Sequence, residues 1–355
     1  MAECGKEPAF PDEPMLTSSF PPSPDAPVRT SVRFTNVLLI VNPVSRTGRE
    51  CLPEVMEALA GVRVQVAETT APRHATAIVR ERLTAEAGMF DAVLTVGGDG
   101  TAMEVATALA DFPDAPPLGI IAQGTANILA RALGLPMNPT RAIRAMRDAH
   151  SVAIDMGRVK DGPAFAIGLG IGLDVAMIRG ASPMLKRHIG WLAYGLSALV
   201  AGLRLERFHA SITVDGVTHE VETSSVLVAN IGSVLGGLLR FGDQIGHQDG
   251  VLDVCVYSPR THLDALRILW RMLRGGVDAD RHVRILRGRN IRVETDPPRP
   301  MQADGELLGY TPVEMCVTPK AVRVLVPHVA PRRWRVRRPS GARINTPLLE
   351  PRTSS

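Results

Sequence analysis

Short apolar runs alternate with stretches of helical periodicity between residues 36 and 135. The runs NVLLIVNP and DAVLTVGGDG are apolar up to their turn residues, as is typical of strands buried on both faces of a sheet. The stretches HATAIVRERLTAEAG and TAMEVATALAD have helical spacing, and PLGIIAQGTANILARALGL repeats the strand–turn–helix order. This alternation predicts an α/β domain whose parallel sheet has helices on both faces.

The pattern changes after about residue 150, where β-branched runs are separated by Gly, Pro and Asp turns. Such runs are typical of an antiparallel sandwich or barrel, here interrupted by helical patches near 183–204 and 261–274. We therefore predict a disordered Pro- and Ser-rich tail over residues 1–33 and an α/β domain over 34–150. A β-rich domain follows over 151–327, and its last segment could pack back against the α/β domain. Residues 328–355 form a basic tail.

Three polar turns follow the apolar runs of the α/β half, at Asn42–Gly48, Gly97–Thr101 and Gly124–Asn127. Ligands of parallel sheets bind beyond the carboxyl ends of the strands, where all three turns are expected. One such turn is explained by a tight strand-to-helix connection alone, whereas three at one edge favour a phosphate site. A Gly-Gly-Asp-Gly-Thr turn can direct backbone N–H groups at phosphate, and a carboxylate there indicates Mg²⁺ between the two anions.

Charge, aromatic content and cysteine spacing exclude or disfavour several classes of function. The formal net charge is +4 and aromatic residues make up 4%, which disfavours stacking on single-stranded nucleic acid. The four cysteines form no CxxC pair, and the N-terminus lacks the pattern of a signal peptide, so a reducing cytoplasm is expected. The apolar stretch 189–203 is shorter than the roughly 20 residues needed to cross a bilayer, and it is interpreted as a core helix or a pocket wall.

Residues 331–343 hold six arginines around Trp334. A cluster of this kind is a solvated tail, or it holds the protein peripherally at an anionic, inner membrane surface. Nucleic acid as a partner is disfavoured by the shortage of other aromatic residues.

Six blocks in order identify a family resemblance: NPVSRTG, TVGGDGTAMEV, GIIAQGTANILARALGLP, FAIGLGIGLDVAMI, GHQDGVLDVCV and ADGELLG. Together, over about residues 34–327, they resemble the diacylglycerol kinase catalytic-domain family, which includes bacterial soluble lipid kinases and the sphingosine and ceramide kinases. The resemblance implies phosphorylation of a lipid hydroxyl with ATP and Mg²⁺. It also implies a Rossmann-like nucleotide domain, a β-sandwich lipid domain and a site in the cleft between them.

The resemblance assigns roles to individual residues. Glu306 matches the catalytic proton acceptor of the family, and Asp99 is the competing candidate for that role. The alternative for the DGE motif of residues 304–306 is a plain hairpin turn without a catalytic role. The nucleotide-contact positions are Asn42, Ser45, Thr69 or Thr70, Gly97, Gly98, Asp99, Gly100, Thr101, Ala102, Met103, Gly124, Thr125 and Asn127. A structural cation site that uses main-chain carbonyls and a carboxylate matches Gly246, Asp249 and Val251. Met103 and Ile128 depart from the family pattern, where Asn and Asp are usual.

Three functions stay open at this point: a kinase for diacylglycerol or for a sphingoid or ceramide alcohol, an NAD kinase-like enzyme that shares the Gly-Gly-Asp-Gly turn, and a non-catalytic relative that binds lipid or nucleotide. Two features argue against the NAD kinase-like enzyme: the third turn reads Gly-Thr-Ala-Asn, and a water-soluble substrate does not need the apolar stretch 189–203. A homodimer is allowed by the sequence but not indicated by it.

Overall fold

The computed structural model describes residues 34–45, 47–147, 149–172 and 206–327. The predictions made for the two tails, the apolar stretch 189–203 and the helical patch near 183–204 lie outside these residues. Within the described ranges, no helix is both long enough and apolar enough to cross a bilayer.

The first half alternates strands and helices as the apolar pattern predicts. Its four strands are β1 (Asn36–Val41), β2 (Arg63–Glu68), β3 (Ala92–Gly97) and β4 (Leu118–Ala122). Its helices are α1 (Leu52–Ala58), α2 (His74–Ala85), α3 (Asp99–Leu109), α4 (Ile128–Ala132) and α5 (Pro139–Arg147).

The four strands pair in parallel in the order β2-β1-β3-β4. Strands β1, β3 and β4 are buried along almost their whole length because helices pack on both faces of the sheet. Leu38 and Ile40 lie in the core under α2 and α3, whereas Val37 and Leu39 lie in the core under α1 and α5. The carboxyl ends of these strands therefore present the three polar turns at one edge.

The second half is mainly antiparallel. Its strands are β5 (Ala149–Val159), β6 (Ala164–Phe165), β7 (Gly168–Gly172), β8 (Phe208–Val214), β9 (Val217–Thr223), β10 (Ser225–Ala229), β11 (Ser233–Val234), β12 (Leu239–Arg240), β13 (Leu252–Tyr257), β14 (Val283–Gly288), β15 (Asn290–Asp296), β16 (Pro300–Ala303), β17 (Glu306–Tyr310) and β18 (Val313–Pro327). One helix, α6 (His262–Arg274), lies between β13 and β14.

Two large sheets share these strands. The second sheet has the order β14-β13-β10-β7-β16-β17, and each neighbouring pair in it is antiparallel. Val226 and Val228 on β10 face the sandwich core, while Leu227 and Ala229 face the layer that contains α6. Successive side chains of a strand point to opposite faces of the sheet, so β10 contributes residues to two different hydrophobic cores.

Strand β18 connects the two halves. It pairs antiparallel with β15 and β5, and further along the chain it pairs parallel with β4 at Val324 and Leu118. The parallel sheet thereby continues into the sandwich as one ten-stranded mixed sheet. The predicted fold class, an α/β part with a parallel sheet plus an antiparallel β sandwich, is confirmed.

Candidate active site

The three polar turns meet at the carboxyl edge of the parallel strands. Asn42, directly after β1, donates its backbone N–H to Val96 O over 2.9 Å, and Gln123, directly after β4, donates its own to Gly97 O over 2.7 Å. These bonds carry the sheet ladder into the turns and hold each turn against its neighbour.

Gly98 and Gly124 bring the second and third turns into backbone contact. A Cβ atom added to Gly124 would lie 2.5 Å from Gly98 Cα, a separation that real Cβ atoms essentially never show. At Gly97, an added Cβ would lie 2.7 Å from Thr101 Oγ1. These three glycines are therefore required by close packing at the turn.

Gly100 differs from these packed glycines. No heavy atom lies within 4 Å of a Cβ built there, and the residue lines the large cleft described below. A glycine that faces open space leaves room for another molecule to approach the backbone.

The first loop is tied to the start of α3. The Asn42 side-chain amide donates to Thr101 Oγ1 over 3.0 Å, and Asn42 Oδ1 accepts from Val44 N. Ser45 Oγ donates to Asn42 O over 2.8 Å. Asn42 and Ser45 thus order the first loop, and their assignment as nucleotide contacts stays a prediction of the family resemblance.

The third turn is held by Asn127, which lies before α4 in the left-handed region at φ 50°. Its Oδ1 accepts from Gly124 N over 2.8 Å and its Nδ2 donates to Gly124 O over 3.0 Å. Thr125, between these partners, is exposed. The turn is closed by Asn127 while the Thr125 hydroxyl stays accessible to a ligand.

Of the two threonines after β2, one is buried and one is exposed. Thr69 is buried and donates its N–H to Val41 O. Thr70 is exposed, and its hydroxyl lies 3.0 Å from His74 Nδ1 at the start of α2. Thr70 is therefore the one of the two whose side chain is accessible from outside the fold.

Asp99 is the first residue of α3, and its carboxylate also holds α4. Asp99 Oδ1 accepts the backbone N–H of Leu129 over 3.0 Å. Burial raises the pKa of Asp99, and the N–H groups of Ile128, Leu129 and Asn127 act in the opposite direction. The carboxylate therefore connects the second turn to the third.

The first turn of α3 provides backbone donors that the helix itself does not use. The first intrahelical bond runs from Ala102 N to Gly98 O over 3.1 Å, so the preceding N–H groups point out of the helix end. Thr101, Ala102 and Met103 are buried against the core. The helix dipole and these donors suit an anion at the turn.

The DGE motif forms a two-residue hairpin turn between β16 and β17. Asp304 and Gly305 have φ values of 47° and 95°, and Ala303 pairs with Glu306 across the turn. Two central residues at positive φ define a type I′ turn, for which Asp-Gly is a favoured sequence. Glu306 is the first residue of β17 and is exposed.

Asp304 anchors this hairpin. Its Oδ2 accepts from Ala166 N over 2.8 Å, and its Oδ1 accepts from Ile167 N and Gly168 N over 3.0 and 2.9 Å. Burial raises the pKa of Asp304 to about 6 against these hydrogen bonds, and the charge of Asp99 adds to the rise. Asp304 therefore fixes the backbone next to Glu306 and lies within electrostatic range of Asp99.

A cleft of about 1050 Å³ is shared by the two halves. From the α/β half it is lined by Arg73, Thr76, Ala77, Arg80, Gly100, Met103, Glu104 and Thr107. From the sandwich it is lined by residues 159–164 of the β5–β6 hairpin, by residues of β16 and β17 that include Glu306, and by Arg292 and residues 312–314. The open side of the glycine turn and the candidate proton acceptor thus face the same space.

Glu104 was not identified from the sequence. Its Oε1 accepts from Arg73 N over 2.9 Å and its Oε2 accepts from Ala75 N over 3.0 Å, so it caps the start of α2 from α3. The sequence signal that could have identified Glu104 is its position four residues after Gly100, on the same face of the helix. Through Glu104, α3 also positions the backbone of Arg73, a residue of the cleft wall.

The predicted cation site lies between β12 and β13. The Asp249 carboxylate forms an ion pair with Arg287, and Asp249 Oδ1 accepts from Val251 N over 3.4 Å. Asp155 holds the loop by accepting from Gly250 N over 2.7 Å. None of the described side chains forms a cluster of three His, Cys, Asp or Glu ligands, and Gly246, Asp249 and Val251 are not among the residues that line the cleft.

Two family models match the chain. One, described as the diacylglycerol kinase catalytic domain, matches residues 36–159, and the other, described as the YegS C-terminal NAD kinase beta sandwich-like domain, matches residues 169–326. The diacylglycerol kinase of Bacillus subtilis strain 168 is 29% identical over 296 residues, which cover 81% of this chain and 95% of that protein. The diacylglycerol kinase of Mycobacterium tuberculosis strain H37Rv is 31% identical over 245 residues, which cover 67% of this chain and 77% of that protein.

Solved structures have the same fold. A diacylglycerol kinase of Bacillus anthracis strain Sterne superposes with a TM-score of 0.67 at 24% identity, covering 84% of this chain and 99% of that one. Another chain from that organism gives a TM-score of 0.70 at 27% identity, covering 83% and 98%.

Proposed function

The chain belongs to the diacylglycerol kinase catalytic-domain family, and we propose that it transfers the γ-phosphate of ATP to the hydroxyl of a lipid, with diacylglycerol as the first candidate acceptor. The observation that carries this proposal is the shared cleft, which is lined by Gly100 of the glycine turn and by Glu306 of the opposite hairpin. A donor phosphate and an acceptor hydroxyl need such a common space.

The residues of the turn fit a nucleotide triphosphate. Backbone N–H groups precede the first intrahelical bond of α3, and Gly100 leaves the approach to them open. Arg73 lines the same cleft and supplies positive charge for phosphate oxygens. Arg80 and Lys160 line it too, but they are paired with Asp111 and Glu314. Bound ATP with Mg²⁺ would supply the transferable phosphoryl group and neutralise its charge.

The Mg²⁺ ion is proposed to lie near Asp304, which lines the cleft, and near Asp99, whose charge acts on Asp304. Both are already occupied in part by backbone N–H groups. An arrangement with few free carboxylate oxygens suits Mg²⁺, which retains several waters and takes its other ligands from phosphate.

Glu306 is proposed as the general base. It is exposed at the cleft, on a hairpin that Asp304 fixes by three hydrogen bonds. From there its carboxylate can accept the proton of the acceptor hydroxyl, which makes the oxygen a better nucleophile as the phosphoryl group arrives. Fixing the hairpin limits the number of orientations that Glu306 samples, which favours this step.

The acceptor side of the cleft favours a lipid. Met301, Leu307, Leu308 and Pro312 contribute apolar surface beside Glu306. Leu307 is 53% exposed and follows Glu306 directly on β17. An acyl chain packed there would cover this surface.

The test is a transfer assay with γ-labelled ATP and Mg²⁺ on a panel of acceptors: a short-chain diacylglycerol, a sphingoid base, a ceramide and NAD. We expect label in a lipid, with diacylglycerol strongest. Label only in NAD would replace the lipid kinase with an NAD kinase-like activity, and label in no acceptor would leave a binding protein without catalysis.

A further inference from the structure

Helix α6 exposes one apolar stripe. Leu263, Leu266, Trp270 and Leu273 are between 42% and 76% exposed. Their spacing of three, four and three residues places them on one face of a helix. Four large apolar side chains in a row are more than the single exposed leucines that any surface carries.

The opposite face of α6 packs on the second sheet. Ile268 is buried against the outer side of that sheet, where Cys255 and Tyr257 of β13 lie in the same core. The helix is anchored at its start by a capping box between Thr261 and Asp264. The stripe is therefore presented by a fixed helix, and its exposure does not come from fraying.

Two acidic groups packed against α6, one on the helix and one after it, are turned inward. The side chains of Asp264 and Asp280 are 8% and 1% exposed, and both pair with Arg267, through contacts of 3.0 and 2.8 Å. Arg271 adds a second contact to Asp280 at 3.4 Å. These two carboxylates are neutralised by two arginines within the packed layer.

Basic groups remain at the surface around the stripe. Arg274 lies 4.1 Å above the Trp270 ring. Arg260, Arg281 and Arg240 are also exposed. Arg260 donates its backbone N–H to Asp264, and the Arg240 side chain lies beside Gly275 at the end of α6. Arg281 contacts His282, which in turn contacts Asp264. Two exposed carboxylates, Asp243 and Asp278, lie beyond the C-terminal end of the helix. Four arginines against two aspartates leave this surface positive.

We propose that α6 lies flat on an anionic lipid surface, with its apolar stripe inserted at the headgroup boundary. An amphipathic helix with a basic border and a tryptophan is the arrangement that binds in the interface plane of a bilayer. A protein partner would need only the apolar stripe, whereas an anionic bilayer also satisfies the arginines. This surface is separate from the cleft, so vesicle binding tests it without nucleotide or turnover.

The first experiment compares two double variants of the full chain in vesicle sedimentation. Leu266→Gln with Trp270→Gln removes the middle of the stripe, while Met89→Gln with Val217→Gln makes the same kind of change at exposed apolar residues elsewhere. All four side chains are exposed, so thermal unfolding should change little in either variant. With vesicles of equal parts phosphatidylglycerol and phosphatidylcholine, we expect the α6 variant to lose at least about tenfold in partitioning and the control to match the wild type.

Arg274→Gln tests the electrostatic part. We expect about fivefold weaker binding to the anionic vesicles, from the contribution of one basic residue, and no change with phosphatidylcholine alone. Equal vesicle binding by the wild type and the α6 double variant overturns the proposal.

Trp270 fluorescence gives an independent readout. In the background Trp191→Phe with Trp334→Phe, Trp270 is the remaining tryptophan of the chain. Anionic vesicles should shift its emission to the blue, and brominated lipids should quench it. Vesicle-bound protein with unshifted, unquenched Trp270 shows that α6 stays in water and contradicts the proposal. Self-association that the α6 variant abolishes, with vesicle binding intact, assigns the stripe to a second copy of the chain instead.

Discussion

Asp99 and Glu306 are both carboxylates of the proposed site, but they have different surroundings. Asp99 accepts the N–H of Leu129 and is half-buried, so it has a structural function in addition to any role toward the ligand. Glu306 is exposed and belongs to the cleft wall. We therefore propose Glu306, and not Asp99, as the proton acceptor, and a positioning and metal-facing role for Asp99.

Two substitutions separate the functions of Asp99. Asp99→Asn keeps an oxygen that can accept from Leu129 N and removes the charge, so we expect a folded protein without kinase activity. Asp99→Ala also removes the acceptor, and should lower the free energy of unfolding by about 1 kcal/mol, the usual cost of a lost helix cap. Circular dichroism melts and the transfer assay distinguish them. Full activity of a folded Asp99→Asn variant would exclude Asp99 from the site.

At the scale of elements, the sequence predicted the parallel strands, the glycine turns and α6 because each depends on local pattern. The apolar runs matched β1, β3 and β4, and the helical patch 261–274 matched α6. The contact between Gly98 and Gly124 was not predictable, since the two residues are distant in sequence and meet only when neighbouring strands pair. The function of Glu104 as a cap on α2 was missed for the same reason.

Gly124 and Gly100 offer a matched test of the turns. Gly124→Ala places a Cβ against the backbone of Gly98, and we expect a loss of about 1–3 kcal/mol in unfolding free energy. Gly100→Ala meets no atom within 4 Å and lies in a helix, so stability should be retained or slightly raised. The KM for ATP should nevertheless increase, because the methyl group enters the cleft. Unchanged KM in a stable Gly100→Ala variant would contradict the nucleotide placement.

The β16–β17 hairpin depends on the Asp304 carboxylate. Asp304→Asn retains a residue suited to positive φ but loses one acceptor for the N–H groups of Ala166, Ile167 and Gly168, so we expect about 1–3 kcal/mol of destabilisation. Asp161→Asn is the control, since Asp161 also has positive φ, at 55°, and no backbone N–H of the described residues is seen to bond its carboxylate. Urea unfolding at neutral pH measures the stability of both variants against the wild type.

The difference in unfolding free energy between the wild type and Asp304→Asn should change with pH in one direction. Burial raises the pKa of Asp304 from 3.8 to about 6, so the folded state binds a proton more readily than the unfolded state. The stabilisation from this group is present below pH 3.8 and is lost as pH rises through about 6. The wild type should therefore gain stability relative to Asp304→Asn on acidification through this range, and a constant difference between the two would contradict the raised pKa.

On the scale of the whole molecule, β18 makes one structure of two halves by pairing with β15, β5 and β4. This continuous strand holds the glycine turn and the DGE hairpin at the two sides of one cleft. The sequence indicated each motif separately, and the family resemblance implied that they act together. Their common cleft depends on long-range pairing, which local patterns do not reveal.

The central claim, that Glu306 removes the proton of a lipid hydroxyl in this cleft, is tested most directly by steady-state transfer to a short-chain diacylglycerol with Glu306→Gln. Glu314→Gln is the matched control, because Glu314 lines the same cleft but pairs with Lys160 over 2.8 Å. We predict that kcat falls about 100-fold or more in Glu306→Gln, the usual contribution of a general base, with the apparent affinity for ATP unchanged. The control should stay close to the wild type. Wild-type kcat in a folded Glu306→Gln variant would contradict the account.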